Sequence, residues 1–368
     1  MSGNKFGLEF SISIFGESHG KCIGVLIDGC PAGLKISEND IQKELNKRIP
    51  KDETIVSSRI EEDKVEILSG VYQGFSTGAP ICMIVRNKDV IDKDYEEIKF
   101  KPRPGHADYP AWVKYKGFND YRGGGIFSGR ITVAFIMAGA IAKKLLEQLS
   151  VEVLAHAIEV AGIKINEEKV SIEDIKRKVY MNSMRCADEE AAALMKKAVI
   201  KAAEEGDSVG GIIEGLAINL SPGIGEPIFD SLDSDLAKIL FSIPGVKGVE
   251  FGLGFKSSKV KGSINNDEYV LINGKIKTLT NNAGGVLGGL STGMPISVKV
   301  AFKPPSSIKK KQKTVNLKIF KEDWIEVKGR HDPCVVPKAV PVVEACIAIT
   351  LCDHLIRAGF IPKVIKNE

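Results

Sequence analysis

The sequence predicts a layered α/β sandwich in which the helices lie inside. Many short apolar runs have the composition of strands, and two long segments, 131–149 and 337–357, are apolar on most of their faces. A helix that is apolar all round belongs in a core, so these two segments are expected between layers of strands. No linker rich in proline, glycine and serine divides the chain, and we therefore expect residues 1–368 to form a single domain.

The composition excludes several classes of protein. With 43% hydrophobic and 27% charged residues, the chain is typical of a packed globular protein and not of a disordered or fibrous one. Its formal net charge of +4 is too small to make nucleic acid the expected partner. No run approaches the roughly 18 apolar residues that span a bilayer, and the N-terminus lacks the apolar stretch of a signal peptide. We therefore expect a cytoplasmic protein that does not enter a membrane.

The seven cysteines are scattered along the chain and form no C-x-x-C pair. This spacing argues against a zinc site and against a redox-active dithiol. An odd number also cannot form a complete disulfide framework, so we expect reduced and mostly buried thiols.

The predicted strands share short length and apolar character, and several are bounded by glycine or proline. They lie at 8–15, 23–28, 65–68, 81–85, 211–220, 249–255, 269–276 and 295–302. The stretch 303–313 follows the last of them and contains two prolines, two serines and five lysines, a composition that indicates a mobile basic loop.

Four segments carry the signals of helices. Ser37 is followed by acidic residues and is expected to cap a helix that runs to Arg48. Residues 188–205 begin with acidic side chains, continue with lysines and end at Gly206, as the helix dipole favours. The other two helices are the apolar segments described above.

The first cluster of reactive residues is Phe15-Gly-Glu-Ser-His-Gly20, directly after a predicted strand. Glycines on both sides allow the backbone to approach a ligand, while Ser18 and His19 offer a hydroxyl and a titratable imidazole. A polar turn at a strand end is the alternative.

The second cluster is 101–108, where two prolines stiffen a loop that displays Arg103, His106 and Asp108. A rigid non-helical segment of this kind directs a cation and an imidazole in fixed directions. The alternative is a surface loop held by its own Asp–Arg pair.

The third cluster is the glycine-rich stretch 120–130, which precedes the first apolar helix. Free backbone N–H groups, the positive end of the helix, and Arg122 and Arg130 would together hold a phosphate. The stretch matches neither the Walker pattern nor G-x-G-x-x-G, so it specifies no nucleotide class. A flexible turn before a helix is the alternative.

The fourth cluster, 328–334, again precedes a helix and contains Arg330, His331 and Asp332. The aspartate could orient a ring nitrogen or relay a proton. Cys334 is expected to be structural, because no acid that would orient a Cys–His pair lies at a diagnostic spacing.

A fifth segment, 280–293, has five glycines in fourteen residues. Close approach of the backbone to a flat or anionic ligand would explain them, and so would a set of β-bulges. His156 and His354 lie inside apolar runs and are expected to be core or surface histidines. The residues alone thus indicate a site for one or two phosphorylated or carboxylated small molecules, with histidines as proton carriers and arginines as anion clamps.

In this order, the motifs resemble those of the chorismate synthases over about residues 7–357. They are GESHG, RPGHAD, RGGG followed by SGR, DSVGG, GEPIFDSLDSDLA, GVEFG, TNNAGG and RHDP. The resemblance implies an α+β fold, a β-α-β sandwich with internal helices between antiparallel sheets, and a homotetramer. It also implies the anti-1,4-elimination of phosphate from 5-enolpyruvylshikimate 3-phosphate to give chorismate, the last common step toward the aromatic amino acids. Chorismate synthases require reduced FMN for this reaction, although there is no net redox change.

The resemblance also implies roles for residues in the matching motifs. His19 would lie near the departing phosphate, His106 would face the reduced flavin, and Asp332 would lie by the flavin nitrogen that takes part in removing the substrate proton. The arginines that would clamp the substrate are Arg48, Arg59, Arg103, Arg130 and Arg330. The positions that would contact the flavin are Ser128, Gly129, Gly289, Lys303, Ser307, Arg330 and His331.

The sequence departs from the family pattern where Ile126 and Ile131 replace an expected arginine and glutamate, and where an arginine near Thr54 is missing. Lys51 or the lysines 309–311 could compensate for the lost charge. The chain has no nicotinamide motif, so we expect dependence on a separate flavin reductase or an anaerobic milieu.

Two other functions are weighed against this one. A flavin oxidoreductase that uses NADPH would need a dinucleotide fingerprint, which the sequence lacks. An RNA- or phosphate-binding module on lysines 309–313 would need an RRM, KH or zinc-finger signature, and none is found.

Overall fold

Two antiparallel sheets enclose the two long apolar helices that the sequence predicts. The structure is a computed structural model, and it describes residues 3–49, 52, 63–88, 99–327, 329 and 331–366. The strands are β1 Lys5–Phe6, β2 Ser11–Gly16, β3 Cys22–Asp28, β4 Val65–Ile67, β5 Val71–Tyr72, β6 Phe75–Ser76, β7 Ile81–Arg86, β8 Glu152–Val160, β9 Ile163–Lys164, β10 Gly211–Ile218, β11 Val246–Phe251, β12 Tyr269–Ile272, β13 Lys275–Thr278, β14 Val286–Leu287, β15 Leu290–Ser291, β16 Ile296–Phe302, β17 Gln312–Asn316 and β18 Lys321–Ile325. The helices are α1 Glu38–Lys47, α2 Asp108–Tyr115, α3 Thr132–Glu147, α4 Ile172–Lys178, α5 Glu189–Glu204, α6 Leu232–Phe241, α7 Gly262–Asn265 and α8 Val336–Arg357.

The first sheet has the strand order β1-β2-β3-β7-β4, and the second has the order β11-β16-β10-β8-β9. Neighbouring strands are antiparallel throughout both sheets. Helix α3 packs on β3 of the first sheet, α8 packs on β8 and β10 of the second, and the two helices pack on each other. The expected β-α-β sandwich with internal helices is therefore confirmed.

Apolar residues on every face of α3 and α8 place these helices at the centre. Most of α3 and nearly all of α8 are buried, as their sequences predict. By length and composition α8 also passes the test for a membrane span, so the expectation that no segment would reach that threshold is wrong. Of its most apolar window, 94% is buried inside the protein, which is typical of a core helix.

The two central helices touch at Gly139. A Cβ at this position would lie 2.6 Å from the Cα of Ala345 in α8, closer than side chains approach a backbone. The glycine therefore sets the distance between α3 and α8.

Gly139→Ala is expected to destabilise the protein by about 1–3 kcal/mol, because overpacking at a helix contact outweighs the gain in helix propensity. In an open helix position the same change is favourable by up to about 1 kcal/mol. Urea unfolding checks this against Gly262→Ala in α7, where a Cβ would meet no atom within 4 Å. Equal stability of the two variants would show that the contact at Gly139 does not limit the packing.

The N-terminal end of β2 differs from the prediction for a physical reason. The N–H groups of Leu8, Glu9 and Phe10 donate to one carboxylate oxygen of Asp353 in α8, at 3.1, 2.7 and 2.8 Å. These three residues therefore cannot pair with a neighbouring strand through their N–H groups, and the predicted strand 8–15 begins only at Ser11.

Two glycine-containing turns were not predicted. The expected single strand 269–276 is wrong, because Asn273 and Gly274 have φ of 52° and 73° and turn the chain between β12 and β13. Gly288 and Gly289 likewise have φ of 62° and 86° and connect β14 to β15. Positive φ at both central residues is typical of a two-residue hairpin turn.

Candidate active site

The site lies at the edge of the first sheet where β2 and β7 end and β3 begins. The turn between β2 and β3 carries Ser18 and His19, both of which are buried. Asn87 follows β7 directly and is hydrogen-bonded to this turn. The predicted first cluster is therefore a turn fixed by its neighbours at the end of a sheet.

The glycine-rich third cluster lies between the imidazoles of the first two. Gly123, Gly124 and Gly125 have φ of 57°, 84° and 55°, a run that residues with a Cβ rarely adopt. A Cβ at Gly123 would lie 2.6 Å from both Ser18 Oγ and His19 Cδ2. A Cβ at Gly124 would lie 3.1 Å from His106 Cε1. The glycines thus allow the chain to lie against both histidines.

Gly123→Ala is expected to lower kcat/KM by about 100-fold, because the new methyl group would displace His19, and misplacement by about 1 Å has effects of this size. The matched control is Gly162→Ala, at a position that also has a positive φ, of 80°, but where a Cβ would meet no atom within 4 Å. Steady-state kinetics at equal folded fractions checks the prediction. A similar loss in both variants would assign the effect to backbone strain.

The second cluster is held together by Asp108, which begins α2. The Arg103 guanidinium donates to both carboxylate oxygens of Asp108 at 2.8 Å, and His106 Nδ1 lies 2.6 Å from Asp108 Oδ1. Burial alone would raise the pKa of Asp108, but the hydrogen bonds with Arg103 and His106 outweigh it and hold this pKa well below its usual value. The alternative of an Asp–Arg pair is therefore realised, in the same cluster as the imidazole.

The surroundings of His106 favour its neutral form. Burial lowers its pKa, and the positive charges of Arg103 and Lys303 act in the same direction, while Asp108 opposes them. A neutral imidazole has one donor and one acceptor nitrogen. His106 can therefore exchange hydrogen bonds with a ligand without carrying a charge into the site.

Two of the predicted substrate arginines share a carboxylate. Arg130 Nη1 donates to Oδ1 of the buried Asp63, and Arg48 Nη1 lies 3.5 Å from Asp63 Oδ2. Arg48 also contacts the start of α3 through Thr132 Oγ1 at 3.3 Å and the carbonyl of Gly129 at 3.4 Å. The carboxylate of Asp63 thus holds both guanidinium groups beside the glycine-rich turn.

The basic stretch 303–313 approaches the second cluster. Arg103 Nη1 donates to Ser307 Oγ at 3.0 Å, and Lys303 Nζ lies 3.3 Å from Ser306 Oγ. Lys310 forms an ion pair with Asp207 at 2.7 Å, so its charge is already matched. Residues 312 and 313 belong to β17, so the irregular part of the stretch ends at Lys311.

The fourth cluster connects to this stretch through residues 207–210. The carbonyl of Pro333 accepts from Val209 N at 2.9 Å, and Ser208 Oγ donates to the carbonyl of Pro305 at 2.6 Å. Both oxygens of Asp332 accept from Lys338 Nζ, at 2.7 and 2.8 Å. Burial raises the pKa of the Cys334 thiol to about 12, which agrees with a structural role.

Other predicted site residues are placed differently or lie outside the described residues. Gly289 contacts the start of α6, where its carbonyl accepts from Leu232 N at 3.0 Å. Arg122 Nη2 donates to Asp120 at 2.9 Å. Ser128 Oγ accepts from Arg130 N at 3.3 Å and caps a 3₁₀ turn that includes Gly129. The predictions on Arg59 and Arg330, and those on Lys51 and the region of Thr54, fall outside the described residues.

The two remaining histidines lie in the core, one of the two placements that the sequence left open. His156 Nε2 lies 3.2 Å from Glu214 in the second sheet, and His354 Nε2 lies 3.0 Å from Asp235 in α6. Ile131 is also buried in the main core. A glutamate at that position would place a charge among apolar side chains, which explains why isoleucine suits this chain.

Sequence reasoning missed Asp63 and Asn87. Asp63 precedes a predicted strand within a run of charged residues, and Asn87 follows another between Arg86 and Lys88. Polar residues at strand ends are too common for this signal to identify a site. Their importance is visible only once the arginines lie beside them.

Comparisons with known proteins show which family the chain belongs to. The sequence profile described as chorismate synthase matches residues 10–356. The chain belongs to the chorismate synthase family. Chorismate synthase of Korarchaeum cryptofilum (strain OPF8) is 52% identical over 358 residues, which are 97% of this chain and 99% of that protein. Chorismate synthase of Methanococcoides burtonii (strain DSM 6242 / NBRC 107633 / OCM 468 / ACE-M) is 51% identical over 361 residues, 98% of each chain.

A solved structure shows the same fold. A crystal structure of chorismate synthase superposes with a TM-score of 0.75 at 30% identity and covers 96% of this chain and 93% of that chain. The family assignment makes the protein a lyase of aromatic amino-acid biosynthesis.

Proposed function

We propose that the protein converts 5-enolpyruvylshikimate 3-phosphate to chorismate and phosphate by an anti-1,4-elimination, with reduced FMN as an unconsumed cofactor. The observation that carries the proposal is the convergence of His19 and His106 on the two glycines between them. Arg48, Arg103 and Arg130 belong to the same clusters. Forked guanidinium groups of this kind suit a substrate with one phosphate and two carboxylates.

In this proposal, His19 stabilises or protonates the departing phosphate. The imidazole lies on a turn whose glycines permit close approach of an anion. Arg48 and Arg130 bind the remaining negative groups of the substrate. Asp63 bridges the two guanidinium groups and so holds them at fixed positions.

The residues near His106 fit a flavin by the chemistry of their donors. The hydroxyls of Ser128 and Ser307 and the ammonium group of Lys303 suit a phosphate and ring carbonyl oxygens, and His106 offers a neutral ring nitrogen. When bound, reduced FMN would supply a ring nitrogen that takes part in removing the substrate proton. Asp332 and His331 would lie beside it, with Lys338 holding the carboxylate of Asp332.

The test is anaerobic turnover of 5-enolpyruvylshikimate 3-phosphate with photoreduced FMN. We expect chorismate and one equivalent of phosphate, with no net consumption of reduced flavin. Folded protein that forms no chorismate under these conditions would overturn the proposal.

We further propose that flavin is reduced by a separate reductase or in an anaerobic milieu. With NADPH and oxidised FMN alone, no chorismate is expected, and adding a flavin reductase should start the reaction. Turnover without the reductase would assign NADPH-dependent reduction to this chain.

The proposed assembly is a homotetramer in the cytoplasm. Tyr269, Leu271 and Ile276 on the β12–β13 hairpin are 68%, 74% and 72% exposed in the single chain. A two-stranded hairpin with apolar side chains in water is marginal by itself, so contact with a second copy would stabilise it. Light scattering on the eluted protein should give four times the chain mass of 39.9 kDa. A monomer would overturn this part of the proposal.

A further inference from the structure

We propose that Asn87 is a positioning residue of the site, which holds the His19 turn and the Arg130 guanidinium in one fixed arrangement. The inference rests on the proposed function for its catalytic consequence. The geometry itself is independent of that function.

Both amide donors of Asn87 hold the His19 turn. Nδ2 donates to the carbonyl of Glu17 at 3.0 Å and to that of Gly20 at 2.9 Å, the two carbonyls on either side of Ser18 and His19. The backbone N–H of Asn87 adds a bond to the carbonyl of Lys21 at 3.2 Å. The residue therefore binds the turn on both flanks of the imidazole.

The oxygen of the Asn87 amide binds Arg130. Asn87 Oδ1 accepts from Arg130 Nε at 3.1 Å. Arg130 in turn donates to Asp63, which also pairs with Arg48. A continuous chain of contacts thus joins the His19 turn to both arginines.

The orientation of the amide follows from chemistry, because an arginine only donates and backbone carbonyls only accept. No other side chain of this length offers two donors and one acceptor on one plane. Aspartate keeps the acceptor but loses both donors, and alanine loses all three bonds. These two substitutions therefore separate the contact with the arginine from the contacts with the turn.

The spacing between imidazole and guanidinium must match one substrate. A phosphate and carboxylates on a single small ring lie at fixed distances, so an error of about 1 Å between their protein partners has a large kinetic cost. Asn87 acts on the reaction through His19 and Arg130.

The test compares Asn87→Ala and Asn87→Asp with the control Asn182→Ala. Asn182 makes the same number of bonds, with Nδ2 donating to the carbonyls of Lys178 at 3.3 Å and Cys186 at 2.7 Å, and Oδ1 accepting from Cys186 N at 3.3 Å. Its bonds are local to a turn after α4. The Asn182→Ala variant therefore measures the stability that is lost when an asparagine with three side-chain hydrogen bonds is removed.

In steady-state kinetics, Asn87→Ala should lower kcat/KM by about 100-fold, whereas Asn182→Ala should change it less than twofold at a similar loss of thermal stability. Asn87→Asp should lower kcat more than it raises KM, because the bond to Arg130 remains. If Asn87→Ala fails to fold, Asn87→Asp carries the test.

A second readout does not need turnover. Inorganic phosphate is titrated into the full chain labelled at its histidine ring carbons, with His19 assigned through His19→Gln. In wild type the His19 signal should respond to phosphate, and in both Asn87 variants the midpoint should rise at least tenfold. This result would support the inference even if the wild-type chain formed no chorismate. Asn87 variants that match Asn182→Ala in both kinetics and phosphate response would overturn it.

Discussion

His106→Ala is expected to lower kcat by two to four orders of magnitude, the usual contribution of a positioned acid or base. The imidazole is held by Asp108 at 2.6 Å and lies against Gly124, so its position in the site is fixed. The arginines remain in the variant, and substrate binding should therefore change much less than kcat. Anaerobic turnover with excess reduced FMN measures both quantities.

The matched control is His156→Ala, which removes an imidazole from the second sheet. His156 is buried and pairs with Glu214, so this variant should lose stability and keep its rate per folded molecule. A His106→Ala variant with the wild-type rate would remove His106 from the mechanism.

The His106→Ala variant should also differ from wild type in how its folding stability depends on pH. Because burial and the charges of Arg103 and Lys303 lower the pKa of His106, the folded chain binds this proton less readily than the unfolded chain, whose histidine titrates near about 6.5. The stability due to neutral His106 is complete above that pH and is lost as the pH falls through the lowered value. Thermal melts just below pH 6.5 should show a weaker pH dependence for His106→Ala, and identical slopes would contradict the assignment.

Local signals in the sequence were enough for most elements of the core. Ser37 forms the expected capping box with Asp40, and Asp188 caps α5 as its acidic start predicts. These features depend on residues within one turn of each other. The predicted strand 8–15 extends too far at its N-terminal end, because Asp353, which is distant in sequence, accepts hydrogen bonds from three of its N–H groups.

The residues of the candidate site also divide into those that local sequence signals reveal and those that only contacts between distant segments reveal. His19, Arg103 and His106 were selected because reactive residue types are concentrated near them and because those motifs resemble a family. Asp63 and Asn87 form no motif by themselves, and their role depends on Arg130 lying beside both. Such contacts between distant segments are fixed by the packing of the sheet against α3, which composition and periodicity do not specify.

A buried ionic cluster joins α1, α3 and α8. Among the ion pairs of the described residues, we expect this cluster to contribute most to the free energy of unfolding. Lys143 Nζ donates to Glu344 Oε2 at 2.6 Å and to Glu44 Oε2 at 2.7 Å. Glu344 Oε1 accepts from the Tyr180 hydroxyl at 2.9 Å. Burial would raise the pKa of Glu44, but Lys143 and Lys47 outweigh it and lower this pKa to about 2.

Glu344→Leu is expected to destabilise the protein by about 3–5 kcal/mol, because it leaves the ammonium group of Lys143 with one carboxylate and the Tyr180 hydroxyl without its acceptor. In that variant Lys143 and Lys47 share the single carboxylate of Glu44. Adding Lys143→Met removes the excess positive charge, so the double variant should be more stable than Glu344→Leu alone. Urea unfolding at pH 7 of the two single variants and the double variant measures the coupling. The free energy lost by the double variant should be well below the sum of the single losses, since most of each single loss is the cost of an uncompensated buried charge. Strictly additive losses would show that Lys143 and Glu344 contribute independently and that the cluster is not a unit.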